Sequence, residues 1–311
     1  MEAIAASGYA QVAAVADSVP DLVRLACEAF PEAAQMHSLE DLLAAGLDGI
    51  VIATPSALHA EQAMTALGNG SSVFCQKPLA RSAEETRRVV DAARQADRLL
   101  AVDLSYRFIA GMGLIRDLIT TGELGEVYAA NLVFHNAYGP DKAWFYDPKL
   151  SGGGCVIDLG IHLVDLALWA LGFPEVTAAT SRLYADGKPL AGRDMVEDYA
   201  VGSIDLASGT TVQLACSWKL QAGRDAVIEA SFYGTNGGAS LRNVGGSFYD
   251  FTAERYRGTS RELLAGPPEE WGGKAAVDWA RRLSQGERYN SEVEHLVSVA
   301  TALDMVYGRC P

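Results

Sequence analysis

Asp158 and His162 stand four residues apart in GGGCVIDLGIHLVDLALW, with Asp165 three residues beyond the histidine. On an α-helix this spacing puts carboxylate and imidazole on one face. An imidazole oriented by a carboxylate accepts a proton near neutral pH. The neighbours Ile157, Leu159, Ile161, Leu163, Val164, Leu166 and Leu168 make the helix a buried one, where charged groups are costly unless paired. A core histidine satisfied by an aspartate accounts for the same residues without chemistry. Two carboxylates and one histidine, with no further His or Cys close by, are a weak metal signature, and no metal is expected. Lys77 in SSVFCQKP is the other candidate. Held between a buried strand and a proline, its ammonium could hydrogen-bond a substrate hydroxyl and favour the alkoxide; the same position also suits a plain surface lysine.

The elements that must position these groups fall into two textures. Up to about residue 108, apolar runs alternate with amphipathic stretches: QVAAVAD, PDLVRLACEAF, SLEDLLAAG, GIVIATP, SALHAEQAMTALGNG, SSVFCQKP, SAEETRRVVDAARQADR and LLAVDLSYRF. That pattern predicts βαβ units and a parallel sheet. Ser38 with Asp41 and Ser82 with Glu85 are helix-start signals. Ligands of such sheets bind at the carboxyl ends of the strands. The rim residues are then Asp17, Thr54 with Pro55, Gln76 with Lys77 and Pro78, and Tyr106 with Arg107. Asp17 can accept both ribose hydroxyls of an adenosine and repel a 2′-phosphate, which favours NAD over NADP, although a turn or capping aspartate reads the same way. His59 lies inside a crossover helix, where a packed or solvated ring is the commoner outcome.

From about residue 125, long alternating runs such as EVYAANLVFHNAY, DYAVGSIDLASGTTVQLACSW and AVIEASFYGTNGGASL predict antiparallel strands with tight turns, interrupted by one apolar helix over 155–172 and followed by two helices. The fold class expected is α/β, a Rossmann-type parallel sheet in a domain over 1–108, joined to an α+β domain over 109–311 with an open, mainly antiparallel sheet. Among the remaining histidines, His135 could face the cleft from its strand, while His37 and His295 belong to no constellation and are expected at the surface.

A net charge of −14 with 21% charged and 49% hydrophobic residues describes a globular chain without the Lys/Arg cluster that nucleic acid requires. Five scattered cysteines, Cys27, Cys75, Cys155, Cys216 and Cys310, contain no C-x-x-C, so a reducing cytoplasm is the plain reading. No apolar run approaches the ~18–20 residues of a membrane span, and no membrane partner is expected.

The runs VIATPSALHAEQAMTALGNGSSVFCQKPLA and WFYDPKLSGGGCVIDLGIHLVDLALWALG, in that order and spacing, closely resemble the Gfo/Idh/MocA oxidoreductases; VEDYAVGSIDLASGTTVQL and FYGTNGGASL are similar to that family's C-terminal sheet. The resemblance implies an NAD(P)-dependent dehydrogenase acting on a secondary alcohol of a sugar or cyclitol. It makes Lys77 the lysine of the family's E-K-P motif with a cis proline at Pro78. Asp158 and His162 become the catalytic pair, and Thr54, Pro55 and His59 the cofactor lining. Tyr106, Trp144 and Tyr146 fall to the substrate pocket, and the open sheet to a homodimer or homotetramer interface. Gln76 stands where the family usually has glutamate, which removes one charge beside the nicotinamide. The glycine-rich fingerprint is not found. GMGLIR at 111–116 follows the wrong strand and has Arg116 in place of the third glycine. The helix tail at Met1 to Ser7, closed by Gly8, leads the expectation that a first strand and its glycine turn precede the chain. Such a central strand would contribute on the order of 10 kcal/mol. A shortened sugar-sensing or partner-binding module, and an NAD-assisted lyase or glycosidase, remain open alternatives.

Overall fold

The computed structural model describes residues 1–192 and 194–309; Arg193, Cys310 and Pro311 lie outside the described residues. The first half runs α1 (Glu2–Ser7), β1 (Ala14–Ala16), α2 (Pro20–Ala29), β2 (Ala34–Met36), α3 (Leu39–Ala44), β3 (Gly49–Ile52), α4 (Ser56–Gly68), β4 (Ser72–Cys75), α5 (Ala83–Ala96) and β5 (Leu100–Val102). Local signals act as the sequence suggests. Gly8 closes α1 in the left-handed conformation, and Ser38 and Ser82 accept the backbone N–H groups of Asp41 and Glu85 at 3.1 and 3.2 Å. Every strand pairing in this half is parallel, but the sheet is in two pieces, β1–β2 and β3–β4–β5. Among the described residues no strand lies between β1 and β3, which is where a doubly wound order puts its first strand. Val51 on β3 is 42% exposed, whereas a strand inside a parallel sheet is covered on both faces.

The second half runs α6 (Ala110–Thr120), β6 (Val127–Asn136), α7 (Pro148–Ser151), a π-helical turn (Val156–Gly160), α8 (Ile161–Ala170), β7 (Val176–Ala185), β8 (Lys188–Pro189), β9 (Tyr199–Leu206), β10 (Thr211–Ser217), β11 (Ala226–Gly234), β12 (Gly238–Asn243), β13 (Phe251–Arg257), β14 (Ser260–Ala265), α9 (Lys274–Ser284) and α10 (His295–Val306). Its strands make one nine-stranded sheet in the order β14-β13-β12-β11-β6-β10-β9-β7-β8. Every neighbour pair is antiparallel except β6 with β10. The GMGLIR glycines Gly111 and Gly113 lie inside α6.

One face of the sheet carries Ala130, Leu132, Phe134, Val212 and Leu214 into the core against α8. Strand alternation turns His135, next to Phe134, to the opposite face. There its Nδ1 meets Ser217 Oγ at 2.8 Å and its ring stacks on Tyr199, which corrects the expectation that it faces the cleft. His295, expected at the surface, is half-buried and stacks on Phe173 with ring centroids 3.9 Å apart. The helical stretch Pro148–Ala170 is long and apolar enough to cross a membrane, and 89% of its most apolar window is buried. The sequence reading passed over it because Asp158, His162 and Asp165 interrupt the apolar run. Within this fold it is the core helix, apolar all round because sheet and helices surround it.

The last two helices return to the first half. Trp279 of α9 packs on Phe74 of β4 with ring centroids 5.8 Å apart. Asp304 of α10 accepts the Ala83 N–H at the start of α5 at 2.8 Å. These contacts fix the cleft between the parallel sheet and α8.

Candidate active site

The strand register builds the rim. Gln76 N donates to Ile52 O at 2.8 Å and Asp103 N to Cys75 O at 2.9 Å, so Gln76 and Asp103 are the first residues past β4 and β5. Thr54 and Pro55 lie just past β3, with Pro55 as the N-cap of α4. Thr54 Oγ1 donates to Gln62 Oε1 at 2.6 Å. His59 is 1% exposed, and its ring nitrogens sit 2.6 Å from Thr54 O and 2.7 Å from Pro78 O. It ties two strand exits together instead of presenting an edge to the crevice. Burial lowers its pKa against the two carbonyls, which favour the protonated ring. The Lys77–Pro78 peptide is cis, as the resemblance implies.

Across the cleft, Lys77 Nζ donates to Asp158 Oδ1 at 2.5 Å and to Asp158 O at 2.8 Å. The other carboxylate oxygen accepts the Trp218 indole N–H at 2.9 Å. Asp158 therefore does not pair with His162. It lies in the π-helical turn, whose i→i+5 bonding changes the angular step, so the four-residue spacing no longer puts both side chains on one face. Asp165 is taken as well: Arg107 Nε donates to its Oδ2 at 2.8 Å and Arg107 Nη2 to its Oδ1. That pair, with Asp165 2% exposed, locks the segment after β5 to α8.

His162 is left between aromatic rings, 4.8 Å from Tyr106 and 6.3 Å from Phe134 by centroid. Burial first, then the nearby Lys77 ammonium, holds its pKa well below the ordinary histidine value. A neutral ring is the form able to accept a proton. Tyr106 is buried under the site in a cluster with Trp271 and Phe251, and burial, then the Asp158 charge, pushes its hydroxyl pKa up.

The SGGG run makes the turn that carries Asp158 possible. Glu197, 1% exposed, accepts on Oε1 from Gly154 N at 3.0 Å, Val156 N at 2.9 Å and Tyr307 OH at 2.7 Å. Its carboxyl pKa is raised by burial against those donors. A Cβ on Gly154 would lie 1.9 Å from Glu197 O, so only glycine admits this approach.

Lys77, Asp158, His162 and Tyr106 thus form one cluster of neighbours. Tyr146 stands at its edge, its ring 5.6 Å from Trp218 and its hydroxyl on Pro140 O at 3.0 Å. Trp144 stacks on Phe145, one residue further from Trp218. Asp17 lies apart, at the end of β1 in the smaller sheet, where Oδ1 accepts the Val19 N–H at 2.8 Å. The turn-capping role is therefore realised. Trp218, Glu197, Tyr307 and Asp103 escaped the sequence reading. Trp218 had a signal, an aromatic N–H donor just past a strand; the others had none.

The donor set at the rim suits a dinucleotide. Thr54, Gln76 and Asp103 gather at the carboxyl ends of three parallel strands, and Asp103 Oδ1 is buried with no hydrogen-bond partner. Asp17 adds an acceptor at the end of β1. The described residues bring no glycine turn for the pyrophosphate. Parallel sheet, crevice and facing acid–ammonium pair define a two-part fold of Rossmann type.

Comparison with known proteins agrees. The oxidoreductase family with an NAD-binding Rossmann fold matches residues 1–104, and the GFO/IDH/MocA C-terminal domain matches residues 113–240. D-glucoside 3-dehydrogenase of Escherichia coli (strain K12) is 31% identical over 234 residues, covering 72% of this chain and 64% of its own length. The chain spans 61% and 59% of two further curated relatives. GenD2 from gentamicin A biosynthesis, solved in complex with NAD, superposes with a TM-score of 0.83 at 25% identity over 99% of this chain and 89% of its own. Levoglucosan dehydrogenase in complex with NADH and levoglucosan shares the fold, with a TM-score of 0.84 at 20% identity over 99% and 92% of the two chains. The chain belongs to the Gfo/Idh/MocA family of oxidoreductases.

Proposed function

We propose that this chain is an NAD(P)-dependent oxidoreductase that removes hydride from a secondary alcohol of a sugar or cyclitol. The observation that carries this reading is the 2.5 Å contact of Lys77 with Asp158 across the cleft, with His162 on the turn beyond. The neutral ring of His162 takes the hydroxyl proton, and Lys77 Nζ hydrogen-bonds the same oxygen as negative charge grows there. Asp158, held by Trp218, fixes the ammonium and balances its charge. A nicotinamide bound at the rim would supply the hydride acceptor. Thr54, Gln76 and Lys77 are the residues we assign to that end and Asp17 to the adenosine ribose, with NAD preferred to NADP. Pro55 and His59 hold the strand exits in place around it. Tyr106, Trp144 and Tyr146 bound the substrate side.

The division of labour falls at about residue 108, cofactor before it and substrate after. The outer face of the nine-stranded sheet, with Val201 41% exposed, supports a homodimer or homotetramer. Cys27, Cys75, Cys155 and Cys216 are all free, which supports a reducing compartment such as the cytoplasm.

The test is titration with NADH and NAD+, followed by turnover on a panel of sugars and cyclitols with Lys77→Met and His162→Ala. Each variant should lose roughly 10²–10⁴ in turnover, and the pH–rate profiles of the two decide which group is the base. A chain that binds neither nucleotide, or a His162→Ala enzyme with wild-type turnover, refutes the reading.

A further inference from the structure

We infer that Asp103 supplies an uncompensated negative charge at the nicotinamide end of the crevice and biases the site toward the oxidised dinucleotide; this rests on the function proposed above. Gln76 and Asp103 leave adjacent strands side by side, and Gln76 Nε2 donates to Asp103 Oδ2 at 2.9 Å. That neutral amide is the carboxylate's one side-chain donor among the described residues. Asp103 Oδ1 is shielded from solvent with no partner, and among the described residues no Lys or Arg forms an ion pair with it.

The other acids of the site are answered. Asp158 has Lys77 and Trp218, Asp165 has the Arg107 fork, and Glu197 has three donors. Lys77 and Asp158 cancel each other, so at the exits of β4 and β5 the remaining negative charge comes from Asp103, while Asp17 lies apart in the smaller sheet. Gln76 orients that charge, directly beside Lys77 in sequence.

Leaving a buried carboxylate oxygen without a donor is costly in a folded chain. A positive group brought to the rim repays it. The oxidised nicotinamide ring bears a positive charge and the reduced ring is neutral, so the field of Asp103 acts on one form and not the other. At a partly shielded rim a unit charge several ångströms away is worth roughly three- to thirtyfold in affinity. Gln76 cannot supply this effect, and Thr54 and Pro55 carry no charge.

The experiment uses the whole chain: NADH binding is read from its fluorescence and NAD+ binding from displacement of NADH. Wild type is compared with Asp103→Asn and with the double variant Gln76→Glu/Asp103→Asn. Asp103→Asn should weaken NAD+ by roughly three- to thirtyfold while NADH stays within about twofold. The double variant, which moves the charge across one hydrogen bond, should restore NAD+ affinity toward wild type. An equal loss for both forms would mean a merely structural role, and an unchanged ratio would mean no field at the ring; either overturns the inference. A wild-type chain that binds neither form overturns the proposed function, and this inference with it.

Discussion

Trp218→Phe tests the geometry of the cleft at its least obvious point. The indole is 3% exposed, and its N–H is the donor to Asp158 Oδ2 at 2.9 Å. Phenylalanine keeps an aromatic ring against Phe145 and Tyr146 but removes that donor. A hydrogen bond to a charged acceptor is worth about 1.5–3 kcal/mol, and the acceptor is left without it in a mostly buried place. The missing part of the indole adds about 1 kcal/mol of lost packing. The sum, about 2.5–4 kcal/mol, should appear in urea unfolding and as a fall in Tm of about 5–8 °C at about 2 °C per kcal/mol. Lys77 still grips the other oxygen, so Asp158 shifts without being released. In steady-state kinetics at saturating nucleotide, kcat should fall on the order of tenfold while KM for the nucleotide stays within about twofold. Stability within about 0.5 kcal/mol of wild type together with kcat within about twofold would show that Trp218 does not hold the carboxylate.

Gly154→Ala places a methyl 1.9 Å from the Glu197 carbonyl oxygen, so it must displace the turn that carries Asp158; urea unfolding should show a loss above about 3 kcal/mol, and a loss under about 1 kcal/mol would refute the close approach. For pH, His162 has a lowered folded pKa, so below about 6.5 the unfolded chain takes up a proton that the folded ring refuses. Its contribution is complete above that pH and is lost as pH falls toward the folded value, at up to about 1.4 kcal/mol per pH unit. His162→Gln should remove this share of the acid sensitivity in unfolding curves measured between pH 7 and pH 5, and an identical pH dependence in both proteins would show that the ring charges freely in the folded state.

Much of the first half was legible because its signals are local. Periodicity gave α4 and α5, serine hydroxyls gave two helix starts, and an apolar strand stopped by Thr54-Pro55 ended where expected. The candidate residues Lys77, Asp158 and His162 could be picked out too, since few residue types can move protons and they stand at strand exits or on an interrupted apolar helix. Their pairing was not. The i, i+4 rule joins Asp158 to His162 only if the helix is α. The turn there is π, and Glu197, 41 residues away from Val156, binds the backbone N–H groups of Gly154 and Val156 at its start.

By itself, then, the sequence determined the elements, the two-part architecture and the short list of reactive groups, all set by interactions within a few residues. Only the tertiary structure decided which groups meet: Lys77 with Asp158 across 81 residues, Trp218 with Asp158 across 60, Arg107 with Asp165 across 58. A buried charge takes whichever partner the packing of distant elements brings within hydrogen-bonding distance, and no spacing along the chain encodes that distance.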